Sequence, residues 1–305
     1  MPKVSLPAYL GPARPPFLLL TLSCVALGAA VAWRSGGWGP DQMGAAVLAL
    51  IGGLAAHVAV NALNEYMDFR SGLDMQTQRT PFSGGSGVLP AHPELARYAL
   101  VLGAGAAAMA VLVGAVFLWW FPGRAWALLP CGLTGLALVV LYTPWITQRA
   151  WWCLVAPGVG FGPVMVLGTE AALTGRWTML GVCASMVPFF LVNNLLLLNQ
   201  FPDVEPDRHA GRRTLPMVKG LTYAVGVLGV QWLLALGVLA MMWWEGWLPR
   251  GSVLAALGAL AVVGVWLRLH RYAQVPEGPV PPGMPANVLL AVGVPFFMAV
   301  AIALG

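Results

Sequence analysis

Nine stretches of this chain are long and apolar enough to cross a bilayer, and they leave little of it for anything else. They run roughly over 17–33, 44–64, 96–120, 126–143, 151–173, 177–199, 222–244, 251–270 and 284–304. About 20 apolar residues span a hydrocarbon core as a helix, which satisfies its own backbone polar groups where no water is present. Charged residues make up 9% of the 305 and hydrophobic ones 59%, whereas soluble domains carry about 25% charge. The expected fold class is therefore all-α, a polytopic membrane helix bundle of about nine transmembrane helices forming a single domain over 1–305. The first stretch follows Lys3 and Arg14 and ends near Ala30-Val31-Ala32, a pattern that a secretory leader shares. Its length and the eight spans after it favour an anchored helix.

The basic residues set the orientation. With nine spans, the N-terminus shares a side with the loops after spans 2, 4, 6 and 8. That side holds Lys3, Arg14, Arg70, Arg79, Arg97, Arg149, Arg208, Arg212, Arg213, Lys219, Arg268 and Arg271, or 12 of the 16 Lys and Arg. Arg34, Arg124, Arg176 and Arg250 lie opposite. Cytoplasmic loops are enriched in Lys and Arg, so the N-terminus is expected in the cytoplasm and the C-terminus across the membrane. This bias accounts for the net charge of +5, and no nucleic-acid partner is needed to explain it. Cys24, Cys131, Cys153 and Cys183 all sit in or beside apolar runs without a CxxC pair, as small buried hydrophobes do. His57, His92, His209 and His270 show no metal-ligand spacing.

Against this background the acids stand out. Asn64, Glu65, Asp68 and Asp74 follow the second span, and Asn199, Asp203 and Asp207 follow the sixth. The runs Asn64-Glu65-Tyr66-Met67-Asp68 and Asn199-Gln200-Phe201-Pro202-Asp203 share a pattern of Asn, Glu or Gln, an aromatic, any residue and Asp, offset by 135 residues. Each is followed by a further acid and then by Arg-Thr, at Arg79-Thr80 and Arg213-Thr214. The pattern reads as an internal duplication that sets two half-sites face to face on the cytoplasmic side. Residues i and i+4 share a helix face, which pairs Asn64 with Asp68. It would also align Asn199, Asp203 and Asp207 if Pro202 sits in a tolerated kink. All-oxygen donors suit Mg²⁺, which keeps waters and shares substrate phosphate oxygens. The metal set expected is Asn64, Glu65, Asp68, Asp74, Asp203 and Asp207, holding about two ions around a diphosphate. Asn199, Arg79, Arg212, Arg213 and Lys219 lie beside them, and Arg forks and Lys point charges suit phosphate oxygens.

The run Thr80-Pro81-Phe82-Ser83-Gly84-Gly85-Ser86-Gly87 suits either a mobile cap over an anion or a flexible linker. Prolines inside spans (Pro157, Pro163, Pro188 and Pro295) are expected to kink helices. The aromatics Tyr66, Phe69, Phe161, Phe189 and Phe190 are candidates to face a cavity and stabilise a cation.

These motifs resemble those of the UbiA superfamily of intramembrane prenyltransferases, which place two aspartate-rich motifs on helices 2 and 6 of a nine-helix bundle. The usual N-D-x-x-D-x-x-x-D opening is here Asn64-Glu65-Tyr66-Met67-Asp68, with the last acid at Asp74. That longer spacing, Ser71-Gly72-Leu73-Asp74 and the run Ala210-Gly211-Arg212-Arg213-Thr214-Leu215 are closest to the 1,4-dihydroxy-2-naphthoate, or menaquinone, branch. The resemblance implies Mg²⁺-dependent transfer of a polyprenyl group from a polyprenyl diphosphate to an aromatic acceptor. It implies that Asn64, Asp68, Asp74, Asp203 and Asp207 bind Mg²⁺ and diphosphate, and that Arg79, Arg213 and Lys219 contact the phosphates. Asp68, Asp203, Arg79 and Lys219 are then the residues expected to carry the catalytic step. The location implied is an integral membrane protein of a bacterial inner membrane with a cytoplasmic active site. Other acceptors of the superfamily stay open: 4-hydroxybenzoate, homogentisate, a porphyrin-type ring or a lipid. So does a transporter, since duplicated halves and broken helices serve that role too.

Overall fold

The computed structural model describes residues 5–36, 39–77, 79–80, 83–249, 257–276, 278 and 280–305. Lys3, Arg250, Pro81 and Phe82 lie outside the described residues. Among the described residues the chain is helical and has no strand. Among the described residues, eight helices are long and apolar enough to cross a membrane: α1 (Pro15–Gly36), α2 (Asp41–Ser71), α3 (Pro93–Trp120), α4 (Pro122–Leu141), α5 (Ala150–Thr174), α6 (Met179–Asn199), α7 (Leu221–Trp244) and α9 (Met284–Leu304). Between the last two lies α8 (Leu257–Gln274), which covers the greater part of the eighth expected stretch, 251–270.

The bundle is built inside out relative to a soluble protein. Its outer surface carries large apolar side chains such as Leu133, Leu233, Leu289 and Phe297, each more than 60% exposed. Trp119 and Trp244, 83% and 82% exposed, end α3 and α7, where interfacial aromatic belts sit. Helix α6 is the hub. It packs against α1, α5, α7 and α9, and Ala184, Val187, Val192, Leu197 and Leu198 along it are fully buried.

Hydrocarbon gives no hydrophobic drive for helices to associate, so close approach and interhelical hydrogen bonds must hold them together. Both are present around α6. A Cβ at Gly158 would collide with the Phe189 carbonyl and the Asn193 side chain, and one at Gly162 with the Ser185 carbonyl. Glycine therefore lets α5 lie directly on α6. The Gly158 N–H donates to Asn193 Oδ1 at 2.7 Å. Further along, Asn194 Nδ2 donates to the Leu228 carbonyl, Gln231 Nε2 to Asn194 Oδ1, and Asn287 Nδ2 to the Asn194 carbonyl, at 2.8–3.0 Å. Such bonds contribute about 0.6 kcal/mol each on average in membranes, and here they fix the register of α6, α7 and α9.

The expected distortion at Pro163 takes the form of a π-helical stretch over Gly160–Leu167. A proline removes one ladder donor, and a wide turn accommodates the loss. That turn presents Gly160, Phe161, Val164 and Met165 to the bundle interior.

Candidate active site

The two acidic motifs meet at one end of the bundle. Helix α2 stays regular through Ser71, so Asn64 and Asp68 share a face as the i, i+4 spacing requires. Gly72 then adopts φ 80°, ends the helix, and turns Leu73 and Asp74 back inward. The second motif departs from expectation. Pro202 does not ride in a kinked helix: α6 stops at Asn199, residues 200–203 form a turn, and Asp207 sits on a separate short helix, Val204–His209. A proline three residues past the end of α6 lacks the N–H that would extend the ladder. The turn nonetheless brings Asp203 and Asp207 to the same place.

That place is a cavity of about 110 Å³ lined by Asn64, Asp68, Asp74, Asn199, Asp203, Asp207 and Arg212, together with Arg14, Tyr142, Cys153, Gln200, Thr214 and Gly85. Arg212 joins the two halves. Its guanidinium bonds Asp68 of the first motif and, at 3.1 Å, Asp207 of the second. Burial alone would lower the Arg212 pKa, but Asp68 and Asp207 raise it above its ordinary value.

Asp74 and Asp203 form no such ion pair among the described residues. Burial, reinforced by the charges of Asp68 and Glu65, pushes Asp74 up to about 7. Burial and the adjacent Asp207 push Asp203 up to about 7. Burial also pushes Asp207 up to about 6, outweighing the pull of Arg212. Asp74 Oδ2 and Asp203 Oδ1 are buried without a hydrogen-bond partner among the described residues. Buried carboxylate oxygens left unpaired are destabilising; a cation in this cavity would satisfy them. The donor set is all oxygen, which fits Mg²⁺. Among the described residues no three acids converge tightly enough to cage an ion by themselves. Mg²⁺ does not demand that, because waters and substrate phosphates complete its octahedron.

Glu65 stands apart from this group. It is fully buried, but it turns to Arg14 Nε at 2.9 Å, the Ser86 N–H at 2.5 Å and the Ser86 hydroxyl at 3.0 Å. It therefore latches the 83–87 loop and the N-terminal segment onto α2. Gly85, at φ 72°, is pressed against that latch: a Cβ there would lie 3.1 Å from Glu65 Oε1 and 3.3 Å from Asp74 Oδ1. Arg79, Arg213 and Lys219 are exposed and do not line the cavity. Arg213 contributes through its backbone, donating to the Thr147 carbonyl at 2.9 Å.

Arg14 is the site residue that the sequence pattern does not mark. It lies in a turn flanked by Pro12, Pro15 and Pro16 and holds a left-handed conformation, φ 50°. Besides Glu65, its guanidinium donates to Asn64 Oδ1 at 3.3 Å, while Asn64 Nδ2 donates to Thr143 at 3.2 Å. The Asn61 amide bonds the Ala13 carbonyl at 3.1 Å and ties the turn to α2.

Arg14, Asn64, Tyr142, Leu196 and Asn199 also line a second, deeper chamber of about 210 Å³, whose remaining wall includes Phe17, Leu20, Val60, Leu138, Phe161 and Leu195. Of the aromatics expected to face a cavity, Phe161 does so, while Tyr66 and Phe69 pack with Leu89 and Tyr98. The acid cavity thus adjoins an apolar space inside the bundle, an arrangement suited to a molecule with an anionic head and a hydrocarbon body.

Comparison with known proteins agrees. A 1,4-dihydroxy-2-naphthoate octaprenyltransferase of Bacillus subtilis is 29% identical over 236 residues, covering 77% of this chain and 70% of that protein. Two solved structures of a UbiA homolog from Archaeoglobus fulgidus share the fold. One, bound to DMAPP and Mg²⁺, has a TM-score of 0.63 at 14% identity, covering 97% of this chain and 98% of that one. The other, bound to GPP and Mg²⁺, has a TM-score of 0.61 at 14% identity, covering 98% and 100%. Residues 7–278 match the model of the UbiA prenyltransferase family, and with nearly the whole length matched this chain is a membrane enzyme belonging to that family.

Proposed function

We propose that the protein transfers a polyprenyl group from polyprenyl diphosphate to an aromatic acceptor, 1,4-dihydroxy-2-naphthoate, with Mg²⁺ as cofactor and the acid cavity at the cytoplasmic surface. The observation that carries this reading is an acid-lined cavity set directly against an apolar chamber, with Arg14, Asn64, Tyr142 and Asn199 lining both. The acceptor follows the Bacillus subtilis relative.

Asn64, Asp68, Asp74, Asn199, Asp203 and Asp207 would hold the metal, which when bound neutralises the diphosphate and makes it a better leaving group. Arg212 and Arg14 then lie where negative charge grows as the carbon–oxygen bond breaks. Arg79, Arg213 and Lys219 act from the rim, as charges that draw the anion toward the mouth. The chamber keeps the allylic carbon dry, which limits its capture by water. The acceptor ring attacks that carbon, the electron pair leaves with the diphosphate, and the ring then loses a proton or CO₂.

The test is product mass. Protein in detergent is incubated with Mg²⁺, a prenyl diphosphate of intermediate length and a mixture of aromatic acceptors, with and without chelator. A chelator-sensitive mass equal to 1,4-dihydroxy-2-naphthoic acid plus the prenyl group, less CO₂ and one hydrogen, is expected. A product built on another acceptor overturns the acceptor assignment, and a product insensitive to chelator overturns the role of the metal.

A further inference from the structure

Seven residues before Asn64, on the same face of α2 and about 10 Å deeper into the bundle, lies His57. It is 6% exposed and lines the apolar chamber. Two contacts lock its ring. Nδ1 is 2.8 Å from the hydroxyl of Thr21 on α1, itself fully buried. Its edge meets Phe161 on the π-helical turn, with centroids 4.8 Å apart and planes at 73°. Nε2 has no hydrogen-bond partner among the described residues. The other polar side chains of the chamber either sit at the junction with the acid cavity or, like Asn61, are bonded to backbone. His57 therefore presents one oriented polar atom in the deep part of an otherwise hydrocarbon wall.

A prenyl chain cannot use that atom. Laid against Nε2, it would remove it from water and offer nothing in return, a destabilising arrangement for a buried polar group. The chain has another route. The chamber shares Ala56, Gly135, Val139, Val164 and Met165 with a larger cavity of about 380 Å³ between α2, α3, α4 and α5. Among the described residues the one hydroxyl on that wall, Thr169, is already bonded to the Met165 carbonyl at 2.7 Å. The interior thus forks into one arm with a fixed imidazole and one arm of hydrocarbon.

We infer that His57 receives a hydroxyl group of the aromatic acceptor, so that the ring occupies the chamber while the prenyl chain turns into the larger cavity. This deepens the prenyl-transfer reading and rests on it. A phenolic hydroxyl both donates and accepts, so it pairs with Nε2 whichever nitrogen carries the proton. Held at its far end by His57, the ring has its near end at the junction, where the reacting prenyl carbon would lie beside the diphosphate. The same contact discriminates, because a site with a buried polar atom rejects a ring that leaves it unpaired.

The inference is tested by binding, separately from turnover. In wild-type protein, 1-naphthol should bind on the order of tenfold more tightly than 1-methoxynaphthalene. His57→Phe should abolish that preference, while His57→Gln, which can bond both Thr21 and a hydroxyl, should restore most of it. Melting temperature and Mg²⁺-dependent binding of geranyl diphosphate should stay near wild type in both variants. In turnover, His57→Phe should raise KM for the acceptor and leave KM for the prenyl diphosphate in place. Wild-type protein that binds the two probes equally, or a His57→Phe variant that keeps the preference, overturns the assignment. Neither binding result depends on whether prenyl transfer occurs, so failure of the catalytic reading is seen separately, as absence of prenylated product from wild-type protein.

Discussion

Arg212 and Glu65 make opposite use of charge. Arg212 is 18% exposed and neutralises Asp68 and Asp207 from opposite motifs. Removing one partner of a buried ion pair strands the other and costs on the order of 3 kcal/mol. Arg212→Ala is therefore expected to lower the melting temperature and to abolish prenyl transfer, whereas Arg212→Lys, which keeps the charge but loses the fork, should recover stability more than activity. Comparing thermal melts with product yield separates the two effects. Glu65 occupies the second position of the first motif, yet its carboxylate is spent on Arg14 and Ser86. Glu65→Gln should thus leave the half-saturating Mg²⁺ concentration nearly unchanged while loosening the 83–87 loop to protease. Asp203→Asn should raise that concentration on the order of tenfold or more, since it removes a charged ligand. Metal titrations of the two variants decide the matter; equal shifts would return Glu65 to the metal set.

At the level of elements, the contact between α5 and α6 depends on two glycines without side chains to spare. Gly158→Ala places a methyl group against the Phe189 carbonyl and the Asn193 amide, which should force the helices apart and destabilise the protein by about 1–3 kcal/mol. Gly114→Ala, where a Cβ meets nothing within 4 Å, is the matched control and should melt like wild type in the same detergent. The helices were legible in the sequence because each had to be apolar along its whole length, and eight of the nine expected stretches recur as long described helices. The faces were legible only while the helix ran unbroken. Asn64 and Asp68 fell as their spacing required, but Pro202 ended α6 and put Asp207 on its own short helix. The site was half legible for the same reason. Acids beside apolar runs are conspicuous, whereas Arg14 and Tyr142 reach the cavity only through tertiary packing. In the sequence Arg14 is one more basic residue beside a span. Arg79, Arg213 and Lys219 show the reverse: near in sequence to the acids, they are exposed and lie outside the cavity lining, with the Arg79 guanidinium packed against Gly87.

For the whole molecule, the three cavities adjoin in a row that runs from the acidic motifs into the apolar middle of the bundle. The acid cavity shares Asn64 and Tyr142 with the chamber, and the chamber shares Gly135 and Val164 with the larger cavity. Several side chains bordering the larger cavity, including Val111, Leu129 and Leu133, are also exposed on the outer apolar surface. Among the described residues this arm therefore borders the outer apolar surface, and on the proposed reading a prenyl chain that enters it can extend toward lipid. What the arm does fix is the width of the passage, and small residues set that width: Gly52, Ala107, Ala110, Gly114 and Gly132 all line it. At Gly132 a Cβ would meet nothing within 4 Å, so the backbone tolerates a side chain there and a large one must project into the cavity or outward to lipid. Gly132→Trp is then expected to leave folding and Mg²⁺-dependent diphosphate binding intact. It should slow long donors on the order of tenfold or more relative to wild type, since apolar pockets discriminate by that order for each methylene they exclude. A ten-carbon donor, with a far shorter tail to accommodate, should be spared. Competition between ten-carbon and forty-carbon prenyl diphosphates, read by product mass, gives the ratio directly. A ratio unchanged by Gly132→Trp would place the chain elsewhere, and the remaining apolar space connected to the acids is the chamber itself, which would put the tail against His57 in place of the ring.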